Sequence, residues 1–191
     1  MCGRSFVLAG AMASLVGAGT LASGCDSRST PPKHLAVVRE SCAVSWVPTA
    51  ETFKGFGKDW RRSSVRIGPI TLMGARAAAH RNVAAYGSIK FRTLVRPRTP
   101  VTVEIGQAAR SAVGFVAPPA FQPVWPKHGA AILRLAPCRA DFLPVRGLLL
   151  IGYPMFLRVR HNACTQFKVS GTRSGRSARA TVSIGAGRCR A

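Results

Sequence analysis

Apolar residues in this chain recur at every second position, in short runs broken by glycine and proline, and that rhythm points to β-sheet. Ile89-Lys-Phe91-Arg-Thr93-Leu-Val95, Val101-Thr-Val103-Glu-Ile105, Met155-Phe-Leu157-Arg-Val159, Thr165-Gln-Phe167-Lys-Val169 and Ala180-Thr-Val182-Ser-Ile184 all alternate. Successive side chains of an extended strand point to opposite faces, so such runs bury one face and wet the other. In Val65-Arg-Ile67-Gly-Pro-Ile70-Thr-Leu72 the apolar parity switches at Gly68-Pro69, where a bulge or bend is expected. The turn residues of 96–100 are expected to join 89–96 and 101–105 as a hairpin. Residues 107–115 fit either a short helical turn or a strand, 118–126 form a proline-rich loop, and 130–136 read as a strand. The apolar run 147–157 is too short to span a bilayer and is interrupted by Pro154, which suggests a buried strand pair. No amphipathic helix of three turns and no internal repeat is visible. The pattern predicts an all-β domain, an antiparallel β-sandwich of about seven strands.

The N-terminus follows a different rule. One arginine, Arg4, precedes an uncharged stretch from Ser5 to Gly24, which ends in small residues before Cys25. Charge, apolar run and small-residue site, in that order, predict a secretory signal peptide. Leu21-Ala22-Ser23-Gly24-Cys25 resembles the lipobox of bacterial lipoproteins, with leucine four residues before the cysteine and Ala22 at the usual aliphatic place. In that class the cysteine thiol receives a diacylglyceryl group and becomes the mature N-terminus. The chain therefore divides into a signal peptide over 1–24, a lipid-attached polar tether over 25–37 and a β-sandwich domain over 38–191. The expected location is the extracytoplasmic face of the cell membrane, with Cys25 as the lipidation site. Ordinary cleavage would instead yield a secreted protein, and a retained leader would anchor as a span.

Of the six cysteines, Cys2 lies in the leader and Cys25 at the cleavage site, leaving Cys42, Cys138, Cys164 and Cys189. An even number in an exported domain predicts two disulfides, and four cysteines allow three pairings. Cys138–Cys164 with Cys42–Cys189 is the favoured pairing, the second bridge tying the two ends of the domain together. Cys-x-x-Cys is absent, and His161-Asn-Ala-Cys164 lacks partners at ligand spacing, so neither metal nor cofactor is expected.

Twenty-eight Lys and Arg stand against six Asp and Glu, a formal net charge of +22. Arginine-favouring codon usage and an anionic partner both account for it. Lys90, Arg92, Arg134, Arg158 and Arg160 hold the parity opposite to the apolar residues, so they are expected on solvated sheet faces. They are the candidates for contact with anionic lipid or a cell-wall polymer. Nucleic acid is disfavoured by the export signal and by the lack of any helix-turn-helix, zinc-finger or aromatic-interleaved basic motif. His34, His80, His128 and His161 are scattered, and no nucleophile elbow, Ser-x-x-Lys or His-Glu-x-x-His occurs. Trp46, Trp60 and Trp125 read as core or loop anchors. The expectation is a non-enzymatic binding or structural module contacting anionic envelope components. An envelope enzyme would need a pocket joining a histidine to Glu104 or Asp141. A subunit of a larger complex would need a large exposed apolar patch. No oligomeric state follows from these patterns.

Several segments, taken together, resemble a group of uncharacterised exported, lipoprotein-like proteins of actinobacteria. They are Val65–Leu72, Val101–Ile105 with the Ala-Arg segment after it, Leu133-Arg-Leu-Ala-Pro-Cys138, Arg160-His-Asn-Ala-Cys164 and Gly185-Ala-Gly-Arg-Cys189. In that group a cysteine after a strand, a second some twenty-five residues later and a glycine-rich end are typical. The resemblance implies export and a small β domain and carries no activity.

Overall fold

The computed structural model describes residues 36–54, 57, 59–117, 129–139, 149–171 and 176–190. The leader, Cys25, His34, Trp125, His128, Asp141 and the loop 118–126 lie outside them. The described residues form ten strands: β1 (Val37–Glu40), β2 (Val65–Ile67), β3 (Ile70–Met73), β4 (Ser88–Val95), β5 (Val101–Ile105), β6 (Val113–Val116), β7 (Ile132–Leu135), β8 (Ile151–Val159), β9 (Ala163–Gly171) and β10 (Ser177–Ile184). A first sheet runs β1-β7-β5-β9-β10 and a second runs β2-β3-β4-β8-β6. The alternation explains what holds them together. Val103, Leu133, Phe167 and Val182 of the first sheet share one buried apolar cluster with Ile70, Phe91, Phe115 and Met155 of the second. The rings of Phe115 and Phe167 meet across the sheets, 6.2 Å between centroids.

Several expectations change. Ten strands replace about seven, partly because Gly68-Pro69 makes a complete reversal: β2 and β3 pair antiparallel from Val65↔Leu72 to Ile67↔Ile70. Gly68 adopts φ 54°, a conformation costly for a residue with a Cβ. The 89–96 and 101–105 segments do not form a hairpin. β4 pairs with β3 and β8, β5 with β7 and β9, and residues 96–100 cross from one sheet to the other. Pro97 and Pro100 cannot donate to a ladder, and Arg98, at φ 56°, instead donates its N–H to the Cys138 carbonyl at 2.8 Å. The 147–157 run contributes one long strand, β8, in place of a pair. Pro154 is accommodated because the β6 ladder runs only from Val113↔Val159 to Val116↔Phe156 and stops short of it. Pairing is not wholly antiparallel either, since β1 lies parallel to β7, with Val37↔Ile132 and Glu40↔Leu135 in register.

That parallel pair decides the disulfides. The bridges are Cys42–Cys138 and Cys164–Cys189, with Cα–Cα distances of 5.6 and 5.7 Å, so the favoured pairing is corrected. Cys42 and Cys138 both follow the C-terminal ends of adjacent parallel strands, β1 and β7. β7 and β9 are each antiparallel to β5 and so point the same way. Cys138, after the end of β7, and Cys164, at the start of β9, therefore sit at opposite ends of the sheet. Cys189 lies at the Cys164 end, because β10 runs antiparallel to β9 with Ser183↔Cys164 in register. Two bridges agree with an oxidising, extracytoplasmic location. Among the described residues no helix is long and apolar enough to cross a membrane.

Among the described residues are also three short α-helices, α1 (Ala50–Lys54), α2 (Trp60–Ser63) and α3 (Val83–Tyr86), and three single 3-10 turns, Cys42–Val44, Ala77–His80 and Gln107–Ala109. Thr49 starts α1 with a reciprocal cap, its hydroxyl accepting from the Thr52 N–H at 3.3 Å while its own N–H donates to Thr52 Oγ1 at 3.1 Å. On the outer face of the second sheet, α1 and α2 bring Phe53 and Trp60 onto Met73 and Leu94, with Trp46 and Leu150 at the margin. Trp46 pairs with Gly152 through two backbone hydrogen bonds of 2.9 and 2.8 Å. Its indole occupies the space that a Cβ on Gly152 would fill.

Candidate functional site: an arginine-lined groove

The outer face of the second sheet can be read residue by residue from its ladders. Ile67, Ile70, Leu72, Phe91 and Val95 belong to the core cluster, so Arg66, Thr71 and Leu94 point outward. They lie in one row, Arg66↔Thr71 and Thr71↔Leu94. Arg96, two residues beyond Leu94, continues the same parity. At one end of the row α2 closes the surface. Ser63 and Ser64 donate their hydroxyls to the Trp60 carbonyl at 2.9 and 2.6 Å. The Arg76 N–H donates to the Ser63 carbonyl at 2.9 Å, fixing α2 to the segment after β3.

These elements frame a cavity of about 510 Å³ lined by Arg61, Arg66, Arg76 and Arg96 over Trp60, Leu94 and Leu150. Trp60 is 7% exposed, its ring 4.9 Å from that of Phe53 and 5.5 Å below the Arg61 guanidinium carbon. A second cavity, about 530 Å³, shares Arg66, Pro69 and Arg96 with the first and extends past Gly68 and Gly171 to Arg176. Among the described residues no acidic side chain lines either. Guanidinium groups gathered without carboxylates, above a partly apolar floor, form a surface suited to phosphate or carboxylate.

The five residues expected from parity divide among separate places. Lys90 and Arg92 line a third cavity, about 570 Å³, together with Arg81. Lys90 Nζ lies 5.0 Å from the ring of its cross-strand neighbour Phe156, and Arg92 lies 5.9 Å from that of Trp46. Arg158 is exposed on β8 of the same sheet, opposite Ser88. Arg160 lies just past β8 and donates to the Arg110 carbonyl at 3.3 Å. Arg134 is on the first sheet, beside Arg39. Sequence reasoning passed over Arg61, Arg66, Arg76 and Arg96. Arg66 and Arg96 carried the usable signal, since each sits at outward parity within or next to an alternating run. Arg61 and Arg76 come from short non-strand segments that give no such sign.

Those residues considered for catalysis that are described do not converge. Glu104 is ion-paired with Arg110 at 2.8 Å, His80 and His161 are exposed, and among the described residues no histidine and no acid lines the three cavities above. Among the described residues no three His, Cys, Asp or Glu side chains could hold a metal. Among the described residues the exposed large apolar ones are Val47, Tyr86 and Leu149.

A buried acid lies on the core side. Glu40 shares the inward parity of Val38 on β1 and is 4% exposed, and neither carboxyl oxygen has a hydrogen-bond partner among the described residues. Burial pushes its carboxyl from the ordinary 4.5 up to about 8, with the charge of Lys90 pulling the other way. Tyr153 is also buried, and its hydroxyl donates towards the Ala136 carbonyl at 2.6 Å and Cys138 Sγ at 2.7 Å. Burial raises the Tyr153 phenol, and the Glu40 carboxylate adds to that.

No protein-family model matches the chain, and no curated protein matches it.

Proposed function

We propose that this protein is a non-enzymatic β-sandwich module on the extracytoplasmic side of the membrane, tethered through lipid on Cys25. In this reading it holds an anionic envelope component in the groove of Arg61, Arg66, Arg76 and Arg96. The observation that carries the reading is that groove: four arginines and, among the described residues, no acid around one cavity with an apolar floor. The lipobox-like Leu21–Cys25 segment and the two disulfides support the location. The net charge of +22 would draw the protein towards anionic surfaces at long range, and the groove would supply the specific contact.

Two measurements test this. Mass spectrometry of the native protein should find a diacylglyceryl adduct on Cys25, and an unmodified Met1 would refute export. Co-sedimentation of the full chain with anionic vesicles and with anionic cell-wall polymer should show retention that falls steeply from low to high salt. Retention by neither, or retention indifferent to salt, would refute the anionic partner.

A further inference from the structure

Building on that reading of the groove, we propose that its ligand is a linear polyol- or sugar-phosphate chain, threaded through both cavities so that successive phosphodiesters meet successive arginines. The two cavities share one rim, Arg66, Pro69 and Arg96. The guanidinium groups are spread along this path. Arg61 and Arg76 line only the first cavity, Arg66 and Arg96 the shared middle, and Arg176 only the second. Arg66 on β2 lies in line with Leu94 across β3, and Arg96 sits two residues farther along, so the two arginines stand about 12 Å apart at ordinary strand spacing and rise. A single phosphate spans too little to engage both ends of such a row. A chain with repeated diesters neutralises each cation in turn and releases counterions from its own length.

The walls also bear on what lies between the phosphates. Single-stranded nucleic acid is gripped by aromatic rings on which bases stack. Among the described residues Trp60 is the one aromatic side chain lining either cavity, and it is 7% exposed and held between Phe53 and Arg61. The far cavity is walled by Gly68, Gly171, Pro69 and Pro97, which leave room for a chain and offer no aromatic ring for a base to stack on. The groove therefore suits phosphodiesters joined by small, non-aromatic units.

The test uses the full chain and poly(glycerol phosphate) of increasing length, from glycerol phosphate upward, with binding followed by calorimetry at several salt concentrations. Affinity per chain should rise with length and level off once both cavities are spanned, and the salt dependence should steepen in parallel. Removing the shared middle in the R66A/R96A variant should lower long-chain affinity about tenfold per arginine and flatten the length dependence. R39A, on the far edge of the other sheet, should bind as the unaltered protein does. Arg66 and Arg96 are exposed, so the double variant should fold, and an unchanged melting temperature verifies that it has. Salt-sensitive binding with no dependence on length would overturn the threaded chain while leaving the anion-binding groove standing. Tighter binding of an oligonucleotide of equal charge, or of anionic vesicles with no binding of soluble polymer, would also overturn it. Failure to bind any anion would remove the groove reading itself.

Discussion

Raising the pH from about 5 to 8 should destabilise this protein, and replacing Glu40 by glutamine should abolish most of that loss. In the folded chain the Glu40 carboxyl is pushed up to about 8 from the ordinary 4.5. Between those values the folded state keeps a proton that the unfolded state has released. Stability falls with pH wherever the folded state binds more protons, so this contribution is at its most favourable below 4.5 and is lost progressively up to about 8. A span of roughly three and a half units at 1.36 kcal/mol each is about 5 kcal/mol, an upper figure because the site can relax or admit water. For a domain of this size that corresponds to a fall of about 10–20 °C in Tm. Glutamine fills nearly the same volume without a charge to desolvate. E40Q should therefore match the parent near pH 4.5 and exceed it increasingly towards pH 8, with a nearly flat profile between. Thermal and denaturant melts of both proteins across this range provide the assay. Parallel pH profiles, or a parent that gains stability towards pH 8, would refute the buried, protonated carboxyl.

Other perturbations have equally definite outcomes. G152A places a methyl group where the Trp46 indole lies, and should cost about 1–3 kcal/mol in denaturant melts with a shift in tryptophan emission. Paired serine replacement of Cys42 and Cys138, 96 residues apart, should cost about 4–5 kcal/mol, and of Cys164 and Cys189, 25 apart, about 3–4 kcal/mol by loop entropy; equal losses would count against that account. R110A should leave Glu104 without its 2.8 Å partner, yet both side chains are partly exposed, so the loss in a urea melt should stay near 1 kcal/mol.

Strand content was legible because alternation is a local property. β4, β5, β9 and β10 can each be read from their own residues. What alternation cannot report is which strand lies beside which. A proline-flanked turn at 96–100 fits a hairpin and fits an inter-sheet crossing equally well at the level of turn chemistry. Only the partners of β4 and β5, contributed by residues far along the chain, decide between them. The disulfides failed for the same reason. A tie between the two ends of the domain favoured Cys42–Cys189, which leaves Cys138 to pair with Cys164, whereas strand direction puts those two residues at opposite ends of a sheet. Glu40 was passed over because Val-Val-Arg-Glu stands at the edge of a polar segment, and its alternation is only four residues long. Parity found Arg92 and Lys90 as outward cations, but the groove at Arg61 and Arg76 depends on how α2 settles over the sheet.

The placement of Cys42 has a mechanical consequence. A load applied at the N-terminus enters the described fold through β1, a four-residue edge strand. Peeling can advance along that strand no farther than Cys42, where the bond to Cys138 takes up the tension and carries it to the turn after β7. The residues beyond, including Trp46 and the helices that wall the groove, are shielded from the pull. A protein strained at its N-terminus would give way by one short strand and then resist as a covalent loop.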